Sequence, residues 1–149
     1  MLPMNRSVRL APVVATLVLL SSAPSWAAQS WPDRAHAAVV EWFRGPQGVT
    51  VAQAIQRITH PTGSDANLAN LDVRHVGESL SVRLTVTWVG GLGTAHSTIV
   101  AWDFDRRGHR SAAVLSDDAI TNVSEKSARR LDTYFRDSLY PALRDSVGN

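Results

Sequence analysis

The chain has 149 residues, of which 44% are hydrophobic and 19% are charged, and it contains no cysteine. The length suits one domain of ordinary size, and the absence of cysteine excludes disulfide bonds, so the core has to stabilise the fold. The 15 basic and 13 acidic residues give a formal net charge of only +2, which does not indicate nucleic-acid binding.

The first 27 residues are predicted to be a signal peptide. Arg6 and Arg9 form a positive start, an apolar run of 11 residues follows over 10–20, and small residues lead to a cleavage position after Ala27. The run is shorter than the roughly 20 residues that a membrane-spanning helix needs. Without the two leading arginines, residues 28–149 carry 13 basic and 13 acidic side chains. The mature protein is predicted to be periplasmic or secreted, with no transmembrane span and no nucleic-acid partner.

The mature chain is predicted to begin with two helices. Ser30 is the predicted N-cap of the first helix, and Gly45-Pro46 ends it, because glycine suits a helix end and proline cannot extend the helix. Thr50 is the predicted N-cap of the second helix, which ends at His60-Pro61. The residues that follow, up to Asn70, are rich in Gly, Ser, Asp and Asn, and they are predicted to form a loop.

Part of the second helix resembles a known family. The string from Gly48 to Pro61, with Thr50, Gln53 and Ile58 at its fixed positions, is similar to the helix-turn-helix opening of small outer-membrane assembly lipoproteins of the BamE type. The resemblance covers 14 residues, and the chain lacks the lipid-bearing cysteine of that family. It implies an architecture of helices followed by a sheet, which is often used for binding proteins or ligands.

Strands are predicted over 71–116, where apolar and polar residues alternate with a period of two. The clearest strand is Leu80–Trp88, which alternates for nine positions. Turn signals near Gly77, Gly91 and Gly108 divide this part of the chain into a four-stranded antiparallel meander. The predicted strands cover 71–76, 79–89, 96–105 and 110–115.

A turn at Gly77-Glu78 sets the predicted register of the first hairpin. Val73 lies opposite Val82 on the apolar face, and Asp72 lies opposite Arg83 on the other face. The glycine-rich connection after residue 89 leaves the register of the later strands open.

A last helix is predicted from about Ser124, and Pro141 is expected to kink or end it near Tyr140. The predicted fold class is α+β in a single domain over residues 28–149. It consists of two N-terminal helices, a four-stranded antiparallel β-meander, and a C-terminal helix packed on the sheet. Helices are expected to cover the apolar face of Leu80–Trp88.

The reverse face of the sheet is the first candidate binding site. It is mostly polar, yet the third and fourth strands add apolar side chains to it. Such a patch is typical either of a partner site or of a surface that a helix covers, and partial cover is expected. The candidate binding residues are Arg74, Arg83, Ile99, Ala101 and Leu115.

A pocket between the sheet and the helices is the alternative site. Trp88, His96 and Trp102 are its candidate lining residues, because aromatic side chains with one convergent polar group are typical of ligand pockets.

No catalytic residue is assigned. His60, Ser64 and Asp65 have the residue types of a nucleophilic triad, but the chain has no Gly-x-Ser-x-Gly turn, and a triad is defined by geometry rather than by sequence order.

No metal and no other cofactor is predicted. Asp103 and Asp105 resemble the start of a calcium loop, but Arg107 stands where an oxygen ligand belongs. The histidines show no short ligand spacing, and a site of His75, His96 and a carboxylate of the third strand is the remaining alternative.

The leading functional hypothesis is a small, exported, non-catalytic interaction module that binds an unidentified protein partner. It depends on the absence of a motif with a known mechanism and on the mixed surface of the reverse sheet face. The alternative hypothesis is a small-ligand-binding protein or hydrolase with a pocket between the sheet and the helices.

Overall fold

The computed structural model describes residues 30–120 and 122–147. The predicted signal peptide, residues 1–27, lies outside the described residues. The fold is α+β, with two N-terminal helices, a four-stranded antiparallel sheet and a C-terminal helical segment, as predicted. The elements are α1 (Trp31–Arg44), α2 (Pro46–Thr59), β1 (Ser64–Val76), β2 (Ser79–Val89), β3 (Ala95–Asp105), β4 (Gly108–Asp117), α3 (Glu125–Tyr134), a π-helical turn (Phe135–Leu139) and α4 (Tyr140–Val147).

The sheet is a meander in which each strand pairs with the next one along the chain, in the order β1-β2-β3-β4. The predicted register of the first hairpin is confirmed, since Val73 lies opposite Val82 and Asp72 lies opposite Arg83. Beyond Gly90, where the sequence left the register open, Trp88 pairs with His96.

The loop predicted between the second helix and the first strand is largely wrong. Residues 64–70 form the first half of β1, which pairs with the far end of β2. Two register shifts, between Ser64 and Asn67 and between Leu68 and Asn70, accommodate this polar segment. The long partner strand supplies ladder hydrogen bonds that outweigh the weak strand preference of Asn, Asp and Ser.

The predicted start of the second helix is also wrong. The helix α2 begins at Pro46 with Gly45 as its N-cap, so only one residue separates it from α1. Proline suits the first helical position, because its missing N–H is one of the donors that the first turn leaves unpaired. Thr50 lies inside the helix, and its hydroxyl donates to the carbonyl of Pro46 at 3.2 Å.

The last helix begins where it was predicted and is irregular in its middle. Ser124 is the N-cap, and its hydroxyl accepts from the backbone N–H of Ser127 at 3.1 Å. Pro141 does not end the helix, because the π-helical turn that precedes it absorbs the distortion and α4 continues to Val147. The predicted end near Tyr140 is therefore wrong, and the irregularity lies in the π-helical turn Phe135–Leu139.

The core lies between one face of the sheet and the helices. Even-numbered positions of β2 and β3 are buried, from Leu80 to Trp88 and from Thr98 to Phe104. Buried side chains of every helical element pack against them, including Val39, Ile55 and Phe135. In the part of the chain that the structure describes, no helix is both long enough and apolar enough to cross a membrane.

The other face of the sheet, which we call the open face, has no helix on it among the described elements, so the expected partial cover is wrong there. The odd-numbered side chains of β2 and β3 that form it are half-buried or exposed, and none is fully buried. The open face carries Ser81, Arg83, Thr85 and Thr87 of β2 and Ser97, Ile99, Ala101 and Asp103 of β3.

Candidate functional site

The five candidate binding residues lie on the open face or at its edge. Arg83 is directly opposite Ala101, and Ile99 is the next residue on the same face of β3. Arg74 lies opposite Ser81, toward the first hairpin turn. Leu115 lies at a register shift in β4 and is 50% exposed. The sheet therefore brings the five residues to one surface, although Arg74 and Leu115 lie away from its centre.

The two arginines of this set have different electrostatic surroundings. The guanidinium of Arg74 contacts the carboxylate of Asp72 at 2.9 Å. Arg83 lies opposite the same aspartate in the ladder, but it has no ion pair with any residue in 30–120 or 122–147. An unpaired guanidinium at the centre of the open face can take a carboxylate from outside the chain, with its planar fork of donors.

The three candidate pocket residues do not come together. Trp88 and His96 are direct partners across β2 and β3, with ring centroids 4.7 Å apart. Trp102 lies opposite Val82, which is six residues before Trp88 in β2, and the Trp102 ring stacks on Phe104 with centroids 4.2 Å apart. Two of the three predicted residues therefore share one site, and the third belongs to a separate part of the core.

His60, which follows α2, completes the arrangement around Trp88. The His60 ring stacks on the indole with centroids 4.1 Å apart and an angle of 20°, so the indole contacts two imidazoles, those of His60 and His96. Gln56 positions this segment, because its amide donates to the carbonyl of Gly63 at 2.9 Å. A Cβ on Gly63 would lie only 2.5 Å from the Trp88 ring, so glycine is required for this close approach.

Asp117 is the acceptor that connects the parts of this site. One carboxylate oxygen accepts from His60 Nε2 at 2.5 Å and from the Thr98 hydroxyl at 2.8 Å. The other accepts from the backbone N–H groups of Ala119 and Ile120 at 2.9 and 3.2 Å. Burial by itself raises the pKa of Asp117, but the hydrogen bonds from His60, Ala119 and Thr98 outweigh it and hold the pKa below its usual value.

This geometry connects elements and leaves little capacity for chemistry. All four acceptor positions of the Asp117 carboxylate are used. The Thr98 hydroxyl is also occupied, because it accepts from Trp88 Nε1 at 3.0 Å while it donates to Asp117. Ser64, the nucleophile of the hypothetical triad, lies instead in β1 opposite Val89. The carboxylate partner of His60 is Asp117, not Asp65.

A second histidine-aspartate pair lies near the other end of β4. His109 Nε2 contacts Asp132 at 2.8 Å, and His109 Nδ1 accepts from Trp102 Nε1 at 3.1 Å. Since an indole nitrogen only donates, the imidazole proton belongs on Nε2, where it donates to the carboxylate. Asp132 also accepts from the backbone N–H of Ala112 at 3.1 Å. This pair joins α3 to β4 and satisfies a buried indole.

Sequence reasoning missed both pairs because their partners are 57 and 23 residues apart. One signal was available for the first pair. Thr98 occupies an inward-facing position of β3, where a buried hydroxyl needs a partner. Within residues 30–120 and 122–147, no group of three or more histidine, aspartate or glutamate side chains is arranged to hold a metal ion.

A ligand-sized groove lies on the outer side of the helices. Its volume is about 280 Å³, and it runs between the first two helices and the C-terminal helical segment. Trp42 and Tyr134 provide its aromatic walls. The groove is remote from the candidate pocket residues, because none of Trp88, His96 and Trp102 lines it.

Comparisons with protein-family models, with curated proteins and with solved structures find no match for this chain.

Proposed function

We infer that the protein is an exported, non-catalytic binding module that recognises a protein partner through the open face. The observation that carries this proposal is Arg83, an exposed guanidinium without an ion-pair partner among the described residues, at the centre of a sheet face that no described helix covers. Ile99 and Ala101 flank it on the neighbouring strand. The open face thus combines the guanidinium of Arg83 with a small apolar surface, and it also carries the carboxylate of Asp103, which accepts from the Ser111 hydroxyl at 3.4 Å.

The size of the open face suits a protein partner. Four strands about 4.8 Å apart and ten residues long, at about 3.4 Å per residue, cover roughly 600 Å². A stable protein interface buries about 800 Å² on each partner. The open face supplies most of that area, and exposed Leu115 extends it at the edge.

The chemistry of the open face defines the partner. Small residues, mainly Ser, Thr and Ala, surround Arg83 on β2 and β3, so a flat surface can approach closely. A partner that places an aspartate or glutamate against Arg83 forms a charge-assisted hydrogen-bonded pair. We therefore expect a protein surface with a central carboxylate and small apolar neighbours.

The alternative, a hydrolase or small-ligand-binding protein, has weaker support. Its strongest feature is the pair of His60 and Asp117, in which the carboxylate already accepts four hydrogen bonds. His60 stacks on Trp88, so the indole covers one face of the imidazole.

Export, in turn, is supported by the charge and hydropathy pattern of residues 1–27 alone.

A site-specific crosslinking experiment tests the proposal. A photoreactive phenylalanine analogue replaces Ala113, an exposed residue opposite Ala101 on the open face. The matched control places the same group at Leu92, which is 98% exposed and lies outside the sheet. We expect one protein to be crosslinked in cells from position 113 and not from position 92.

The crosslinked partner is then purified for binding measurements with charge-reversed variants. Arg83→Glu is expected to weaken binding about tenfold or more, because it sets like charges against each other. Arg107→Glu, at the exposed tip of the last hairpin, is expected to leave the affinity unchanged. Equal effects of the two variants, or identical crosslinks from both positions, contradict the proposal. A crosslink to a second copy of the chain contradicts the assignment to a different protein.

A further inference from the structure

Two histidines from distant parts of the chain meet where α1 crosses β1. His36 lies in α1, and His75 lies one residue before the end of β1, which is an edge strand. The nitrogen atoms His36 Nδ1 and His75 Nε2 are 3.1 Å apart. The ring planes are inclined at 59°, with centroids 5.1 Å apart. Two imidazole nitrogens from two separate elements therefore lie within hydrogen-bond distance of each other.

A carboxylate lies behind one of these imidazoles. Asp33, one helical turn before His36, places Oδ1 3.7 Å from the other ring nitrogen of His75, Nδ1. The second oxygen of Asp33 accepts from the Ser30 hydroxyl at 2.9 Å. Metal-bound histidines almost always donate their outer N–H to a carboxylate, a carbonyl or water, and this outer partner orients the ring.

We propose that His36 and His75 form a binding site for a divalent transition-metal ion, with copper(II) as the preferred ion and water in the remaining coordination positions. Nitrogen ligands at about 2.0–2.1 Å lie roughly 3.3 Å apart in tetrahedral geometry and about 2.9 Å apart at a right angle. The observed 3.1 Å lies between these values, so the spacing of the two nitrogens matches that of two ligands of one ion. The nitrogens face each other in the empty pair, and binding requires the rings to turn until both lone pairs face the ion.

The proton positions are consistent with binding. In the empty pair, one inner nitrogen donates to the other. In the metal-bound pair, each neutral imidazole carries its hydrogen on the outer nitrogen, so both inner nitrogens present lone pairs. His75 Nδ1–H then faces Asp33, and His36 Nε2–H faces away from the ion.

The surroundings explain the expected ion preference. The side chains of His75 and Asp33 are 38% and 51% exposed, so an ion and its waters have access from solvent. Two imidazoles without a thiolate or a third protein ligand make an open site of moderate affinity. Copper(II) binds such nitrogen ligands more tightly than nickel(II) or zinc(II). The ion would connect α1 to the edge strand β1 and stabilise that contact.

Titration calorimetry of the tag-free, chelator-treated full chain with copper(II), repeated with zinc(II), tests this inference. We expect one saturable copper site per chain, weaker zinc binding, and an increase in the melting temperature on addition of copper. Electron paramagnetic resonance is expected to report two nitrogen ligands. His36→Gln and His75→Gln are each expected to abolish this site, while their melting temperatures without metal stay near that of the wild type.

Two further variants separate this site from other copper binding. Asp33→Asn is expected to weaken copper binding by up to about 10-fold without removing it, because Asp33 lies 3.7 Å from the outer nitrogen of His75 and is not itself a ligand. His96→Gln is the matched control, since this half-buried histidine contacts Asp118 at the far end of the sheet, and it is expected to bind like the wild type. The inference is wrong if copper binding survives both His36→Gln and His75→Gln, if His96→Gln abolishes it, or if the wild type shows no saturable binding.

Discussion

At the scale of single residues, the hydrogen bonds of Asp117 are the most concentrated polar interaction in the described structure. Its side chain is only 3% exposed and accepts four hydrogen bonds, from His60 after α2, from β3 and from the chain after β4. A buried carboxylate is tolerated only when its acceptors are satisfied in this way. The bonds hold the end of α2 and its stacked histidine against Trp88.

We expect Asp117→Asn to lower the free energy of unfolding by about 2 to 3 kcal/mol at pH 6, because an NH₂ group replaces an oxygen toward which donors point. Urea unfolding monitored by circular dichroism measures this change. Asp118→Asn is the matched neighbour, with a side chain that is 54% exposed, and it is expected to cost much less. Equal costs for the two variants contradict the role assigned to Asp117.

The same carboxylate predicts a dependence of stability on pH. The folded-state pKa of Asp117 is below the usual 3.8 of an aspartate, because the hydrogen bonds outweigh burial, which acts in the opposite direction. The stabilising contribution is therefore complete above about pH 4 and is lost as the pH falls through the folded-state pKa. In unfolding series from pH 6 to pH 2, the difference between wild type and Asp117→Asn is expected to shrink below pH 4. A difference that stays constant contradicts this assignment.

At the scale of elements, the C-terminal segment is explained by the spacing of its apolar side chains. Leu131, Phe135, Leu139 and Leu143 are four residues apart and all buried. In a regular α-helix of 3.6 residues per turn, each such step advances about 40° beyond a full turn, so the last side chain would leave the core. The π-helical turn holds more residues per turn and reduces this drift.

This explanation makes Leu143 a core residue despite the proline two positions before it. The side chain is 1% exposed and lies beside Trp31, Phe104 and Tyr140. Leu143→Ala is expected to lower the free energy of unfolding by about 2 to 5 kcal/mol. The adjacent Ala142 is exposed, and Ala142→Ser is expected to change stability by less than about 0.5 kcal/mol. A cost below 1 kcal/mol for Leu143→Ala, by urea unfolding, contradicts this packing.

At the scale of the whole molecule, the sheet has one face in the core and one open face, and the described helices all pack on the same side. A domain of this kind needs no disulfide bond, because 22 hydrophobic side chains are buried together among the residues that the structure describes. The binding proposal depends on this one-sided arrangement.

The charge of the whole chain provides a test of export. The predicted cleavage after Ala27 would remove two basic residues and no acidic ones, and it would leave 13 of each. We expect mass spectrometry of the protein from its native cells to give an N-terminus at Ala28. Isoelectric focusing is expected to place it near neutrality, well below the 9.7 of the full chain. An intact N-terminus at Met1 contradicts the signal-peptide prediction.

Local patterns predicted much of the fold. The alternation of Leu80–Trp88 identified the buried face, and the short turn after Val76 identified the register of the first hairpin, which the structure confirms. Polar composition misled the prediction at 64–70, because strand pairing with β2 outweighs local preference there. The structure shows only where the candidate residues lie: the five residues of the open face share one surface, whereas Trp102 lies apart from Trp88 and His96.

The sequence by itself determined the order of the elements and the two faces of the sheet, because periodicity and turn chemistry act between residues that are close along the chain. It misplaced the start of the second helix and of the first strand. Only the tertiary structure decided which polar side chains meet. His60 with Asp117, His109 with Asp132 and His36 with His75 are contacts across 57, 23 and 39 residues. Such contacts depend on how the helices pack on the sheet. A local pattern covers only neighbouring residues, so it cannot predict which side chains meet across such separations in the chain.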